Sequence, residues 1–265
     1  MAQLRRALAT LLLGSGRMAD RMSRATTYLA AGACRLEDMQ DDHRRTWNRF
    51  YRSHPAQETR LLPWEEACLG RFVTPGAKVL LIGCGSGRDL LPLVERGCEV
   101  TGIDASREGL EIAQRLLCAH RLSARLLCGF FESTALPHAF DVVIFSYYCY
   151  AAIPMASRRI AALRKAAAHL NAGGHIVVSH AAGVRPSRSL LVRAARIAAA
   201  LTRSDWRVET GDLLAADRRE RPSALSLTHV FEHGELEREA AAANLRIASS
   251  DVADDNTVVA VLAPR

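Results

Sequence analysis

Lys78-Val-Leu-Leu-Ile-Gly-Cys-Gly-Ser-Gly87 is an apolar run broken at once by three glycines at alternate positions. The apolar part reads as a parallel strand buried on both faces. The glycines let the backbone turn sharply and approach a ligand, because no side chain stands between the peptide plane and the bound molecule. A helix is expected next, from about Arg88 to Arg96. Glu99-Val-Thr-Gly-Ile-Asp104 then reads as a second strand ending in a carboxylate. An acid about 20 residues past the glycine turn can accept both hydroxyls of an adenosine ribose. A dinucleotide fingerprint needs Gly-x-Gly-x-x-Gly, yet the sixth position counted from Gly83 is Arg88, and the third glycine, Gly87, comes one residue early. That spacing argues against a nicotinamide-dependent oxidoreductase.

At Gly83, Gly85, Gly87 and Asp104 the chain resembles the class I (Rossmann-like) S-adenosylmethionine-dependent methyltransferases. The resemblance continues in order through Phe140-Asp-Val-Val-Ile-Phe145, Leu170-Asn-Ala-Gly-Gly-His-Ile-Val-Val-Ser-His180 and Asn256-Thr-Val-Val-Ala-Val-Leu-Ala263, and spans about residues 72–263. It implies an α/β fold: a doubly wound, mostly parallel seven-stranded sheet with a C-terminal antiparallel strand. It also implies S-adenosyl-L-methionine as cofactor and S-adenosyl-L-homocysteine as its product. Cofactor contacts are expected at Gly83, Cys84, Gly85, Ser86, Gly87, Asp89, Asp104, Ala105, Phe130, Phe131 and Ser146. Two departures stand out. Leu81 occupies the position where the family often has an acid, leaving loop carbonyls or Asp89 for the methionine ammonium. Phe130-Phe131-Glu132 stands where an Asp is frequent near the adenine, so Phe130 either contacts the ring face or fills the core.

Around this centre, strands are expected near 78–83, 99–103, 124–128, 141–146, 174–179, 245–251 and 257–262. Helices are expected near 65–72, 88–96, 106–119, 156–169 and 234–243. Residues 65–265 form one cofactor-binding domain in this reading. Residues 1–64 are an N-terminal helical lid or extension, whose first 40 residues compete with a targeting or membrane-surface segment. A long Arg-rich insertion, 181–233, leaves the carboxyl end of the fifth strand and includes an amphipathic segment, Ser189 to Leu201. Substrate cover and peripheral elaboration are its two readings.

The 265 residues are 49% hydrophobic, with no apolar run long enough to span a bilayer, which excludes an integral membrane helix protein and stable membrane insertion. The formal net charge of +7 is almost all arginine, Lys78 and Lys165 being the only lysines. It is read as solvated surface rather than a nucleic-acid site. Seven scattered cysteines without Cys-x-x-Cys suggest neither disulfide framework nor zinc ribbon, and point to a reducing cytoplasm.

Methyl transfer needs chiefly alignment of the nucleophile with the methyl group. Tyr147, Tyr148 and Tyr150 follow the fourth strand as an expected aromatic wall suited to a sulfonium. His180 and His229 are the candidate bases, each weighed against a structural role. His229 and His233 lie four apart without a completing ligand set, and no metal is expected. Ser146-Tyr-Tyr-Cys-Tyr150 lacks the Asn/Asp-Pro-Pro-aromatic pattern of nucleobase amine methylation. A small-molecule or natural-product-like acceptor is therefore favoured for O-, N- or S-methylation. A peptide, protein or RNA acceptor is the alternative, and a non-catalytic cofactor-binding protein is the reading from another class. Sequence leaves the oligomeric state open.

Overall fold

The computed structural model describes residues 2–55, 58–136, 139–181, 188–217, 224–253 and 257–265, with the side chains of 2–15 and 17 outside the description. Two helices, α1 (Ala2–Ala33) and α2 (Leu36–Ser53), precede α3 (Pro63–Phe72). The alternating body follows: β1 (Lys78–Ile82), α4 (Leu90–Glu95), β2 (Glu99–Asp104), α5 (Arg107–Ala119), β3 (Arg125–Cys128), β4 (Phe140–Phe145), α6 (Ala156–Ala168) and β5 (Leu170–Ala181). Then come α7 (Ser189–Thr202), β6 (Asp212–Asp217), β7 (Ala224–His229), α8 (Glu235–Ala242), β8 (Leu245–Val252) and β9 (Thr257–Pro264).

Seven strands form one sheet in the order β3-β2-β1-β4-β5-β9-β8, and β9 alone runs against its neighbours. The fold is thus the doubly wound α/β sheet expected. Alternate β1 residues feed opposite layers: Leu80 and Ile82 enter one core with Phe140, Phe145 and Ile176, whereas Val79 and Leu81 enter the other with Leu90, Leu117 and Val177. The central strand is therefore apolar at every position, and the strand order reverses beside it, where ligands of such sheets bind.

The insertion holds a hairpin that the sequence reading did not anticipate. Strands β6 and β7 pair outside the main sheet, and Leu214, Leu225 and Leu227 pack with Tyr28, Met39, Val192 and Trp206 in a third core. The N-terminal helices and the insertion, distant in sequence, thus share one hydrophobic cluster and form a single cover. Its joints are specific. A Cβ on Gly32 of α1 would overlap the Ala195 carbonyl of α7, so the two backbones touch. Asp42 of α2 accepts the Leu225 N–H at 2.7 Å, and the Tyr28 hydroxyl donates to the Asp212 carbonyl at 2.5 Å. Removing residues 1–45 would take Tyr28, Ala31 and Met39 from this cluster and open it to water, so the N-terminal segment has a structural role rather than that of a dispensable extension.

Candidate functional site

The glycine turn leaves β1 at the switch point. Gly83 and Gly85 have φ of +81° and +51°, conformations that cost a side-chain-bearing residue free energy. Space closes both positions as well: a Cβ on Gly83 would overlap the Cys149 sulfur, and one on Gly85 would overlap the Tyr51 hydroxyl. Tyr51, from α2, therefore roofs the turn.

Asp104 ends β2 directly beneath. One carboxylate oxygen accepts the Gly85 N–H at 2.8 Å and the other accepts the Ser106 N–H at 2.7 Å. Burial pushes its carboxyl up to about 6 against the lowering effect of those two bonds. Beside it lies a groove of about 410 Å³, lined by Arg44, Asn48, Ala105, Arg107, Glu108, Cys128, Gly129 and Phe130. Arg44 and Asn48 come from α2 at helical spacing with Tyr51. Asn48 accepts from the Ser106 hydroxyl at 2.7 Å, and the Arg44 guanidinium lies 5.7 Å from the Phe130 ring centre. Phe130 thus lines the groove, whereas Phe131 is buried against Phe145 and belongs to the core.

A second crevice opens on the other side of the turn, between Trp64, Glu65, Asp89, Ser146, Tyr147 and Ser179. Asp89 is buried there and accepts from the Ser146 hydroxyl at 2.6 Å, and burial raises its pKa. The buried Trp64 indole N–H has no hydrogen-bond partner among the described residues. Arg88 makes paired 2.6 Å bonds to Glu65 and lies 3.4 Å from Asp89. Cys84 is fully buried and packs its sulfur toward Gly102, so only its backbone faces the turn.

Of the expected aromatic wall, Tyr147 and Tyr148 stack at 4.4 Å, with Tyr147 exposed and the Tyr148 hydroxyl 2.6 Å from Thr257 Oγ1. Tyr150 does not join them. It is fully buried, donates to Glu239 at 2.6 Å and packs on Phe145 and Phe231. His180 lies at the end of β5 against Phe231, with Nδ1 3.1 Å from the Ala181 carbonyl. A carbonyl can only accept, so Nδ1 carries the proton and Nε2 keeps the lone pair. Burial lowers its pKa, which keeps the ring neutral at pH 7.

His229 is not available as a base. Nδ1 is 2.7 Å from Asp212 and Nε2 is 3.1 Å from Glu235, and the side chain has no exposed surface. Carboxylate oxygens at both nitrogens favour the ring's protonated form, in which both nitrogens donate. Burial opposes that charge, but the bonds to Asp212 and Glu235 outweigh it and raise the pKa. His233 is exposed while His229 is buried, so the pair forms no chelate. Ligand atoms of Glu209, Asp212 and His229 do lie within 4.8 Å of one another, but the Arg159 guanidinium already faces Glu209 at 3.2 Å and supplies positive charge to the cluster. A raised histidine pKa adds stability that is complete below about pH 6.5 and lost as pH rises through the folded-state value. Urea midpoints of the parent should therefore fall between neutral and alkaline pH, and His229→Gln should lose that slope; parallel profiles would refute the bridging role.

Residues 79–174 match the family described as "Methyltransferase domain". The chain is 33% identical over 99 residues to the cypemycin N-terminal methyltransferase of a Streptomyces species, covering 37% of this chain and 40% of that one. It is 28% identical over 153 residues to a ubiquinone biosynthesis O-methyltransferase of Vibrio cholerae, covering 54% and 58%. The chain thus aligns with about half the length of these curated relatives. Among solved structures, the DhpI–SAH complex superposes with a TM-score of 0.61 at 15% identity, covering 86% of this chain and 98% of that one.

Proposed function

With residues 79–174 matching a methyltransferase domain, we propose that this chain transfers a methyl group from S-adenosylmethionine to a small, natural-product-like acceptor. The observation that carries the reading is the placement of two openings on either side of the Gly83–Gly85 turn, the groove beside Asp104 and the crevice at the ends of β4 and β5.

The residues around these openings suit the cofactor. Asp104 would hold the ribose hydroxyls, and the groove of Ala105, Phe130, Arg44 and Asn48 would receive the adenine. The orphan Trp64 N–H and the buried Asp89 carboxylate are the polar groups available to the amino-acid end. The glycine turn lies between the two ends, beneath the Tyr51 hydroxyl and the Cys149 sulfur. Bound there, the cofactor supplies a methyl group already activated on a sulfonium sulfur. Tyr147, Tyr148 and Ser146 border the acceptor's approach and orient it, and His180 Nε2 accepts a proton from a hydroxyl acceptor as the new bond forms.

The test is mass spectrometry of small-molecule extracts incubated with isotopically labelled cofactor, in which a labelled methylated product should appear. With that acceptor, His180→Ala should remove the acid limb of the pH–turnover profile. That limb lies below about pH 6.5, since the ring must be neutral to act as a base. Full activity and an unchanged profile in His180→Ala would leave only positioning. Tyr148→Phe, which loses the Thr257 contact, should lower turnover through misalignment without altering the profile's shape. A peptide acceptor is the second reading, favoured by the likeness to the cypemycin N-terminal methyltransferase. Label appearing only in added peptides would select it.

A further inference from the structure

The cover carries two apolar ridges that face outward. Leu190, Ile197 and Leu201 of α7 fall within an arc of about 40° at 3.6 residues per turn, and so do Met18, Met22 and Leu29 of α1. All six side chains are between 44% and 80% exposed. The helices that carry the ridges pack on one another at Gly32 and Ala195. Single exposed apolar residues need no explanation, but aligned sets on adjacent helices mark a contact surface.

The neighbouring charges select the partner. Helix α7 contains Arg193 and Arg196 and no acid, and Arg188 and Arg203 bracket it. Among the α1 residues whose side chains are described, Arg21 and Arg24 stand against Asp20 alone. A second copy would bring arginine onto arginine. An apolar stripe with basic flanks is instead complementary to lipid headgroups of negative charge, with the apolar residues entering the acyl boundary. We propose that the outer face of α1 and α7 docks on an anionic lipid surface. No described helix is long and apolar enough to cross a membrane, so the contact is peripheral.

The full chain would be sedimented with phosphatidylcholine vesicles with and without phosphatidylglycerol. Binding should be about tenfold tighter or more with the anionic lipid, and should weaken as salt rises. The Leu190→Ser/Ile197→Ser/Leu201→Ser variant should bind about tenfold more weakly or worse while keeping its circular dichroism and thermal midpoint, because these side chains are exposed. Met18→Ser/Met22→Ser is an independent second variant with the same expectation. A chain left in the supernatant by both vesicles would overturn the proposal, as would equal binding to phosphatidylcholine alone. So would a concentration-dependent dimer, seen by light scattering and abolished by the triple substitution, in a chain that ignores vesicles.

Discussion

Asp104→Ala should bind S-adenosylhomocysteine at least about tenfold more weakly than the parent in titration calorimetry, since a lost charge-assisted hydrogen-bond pair costs roughly 1.5–3 kcal/mol. The carboxylate sits at the end of β2, held by the Gly85 and Ser106 N–H groups, with the groove beside it. Its pKa of about 6 adds a second signature. Only the ionised form accepts from both ribose hydroxyls, so parent affinity should climb with pH through about 6, and the Asp104→Ala profile should lack that rise. Folding stability should move the other way. A carboxyl raised above its unfolded value near 3.9 holds its proton more tightly when folded, so Asp104 favours folding less as pH rises from about 4 through 6. Opposite pH trends for affinity and stability, both erased by one substitution, would be hard to obtain from a residue outside the site. Unchanged affinity in Asp104→Ala would remove the ribose assignment.

The parallel sheet was legible because its strands are covered on both faces. Lys78 to Ile82 and Phe140 to Phe145 are short apolar runs with no polar alternation, and each is followed by a break that the fold needs. The hairpin of β6 and β7 was not legible for the opposite reason. Asp212-Leu-Leu-Ala-Ala-Asp217 and Ala224-Leu-Ser-Leu-Thr-His229 hold a single β-branched residue, and what makes them strands is packing on Trp206, Val192 and Tyr28 from other segments. Around the site, backbone groups were easier to foresee than side chains. Gly83, Gly85 and Asp104 fall where their spacing put them, whereas the three tyrosines of 147–150 divide between crevice and core. Tyr148 has φ of +59°, and in such an irregular turn no periodicity says which way a side chain points. Arg44 and Asn48 carry a signal only in retrospect: with Tyr51 they stand at i, i+4 and i+7 and share one face of α2. Nothing in that spacing says the face covers a groove.

The buried ion network had no sequence signal, since its members lie far apart along the chain, and it should produce the largest stability change of any substitution discussed. Arg159 has no exposed surface. It gives Glu239 bonds of 2.7, 3.0 and 3.2 Å, reaches Glu209 at 3.2 Å and lies 3.9 Å from Glu235. Glu239 also accepts from Tyr150, and Glu235 faces His229, whose N–H holds the Ala151 carbonyl at 2.8 Å. One guanidinium thus joins α6, α8, the hairpin and the chain leaving β4. Arg159→Met keeps most of the volume but strands the Glu239 carboxylate in the core, and removing one partner of a buried pair costs about 3–5 kcal/mol. Arg159→Lys should recover little, because a point charge cannot replace the planar fork that spans Glu239 and Glu209. Arg159→Met/Glu239→Met should recover a large part, since the main stranded charge leaves with its partner. Urea unfolding measures all three, and the double variant decides the cause. Recovery means that the single substitution suffers from an uncompensated charge, whereas additive losses would mean that packing around α6 and α8, rather than ion pairing, holds the cover's hairpin to the sheet.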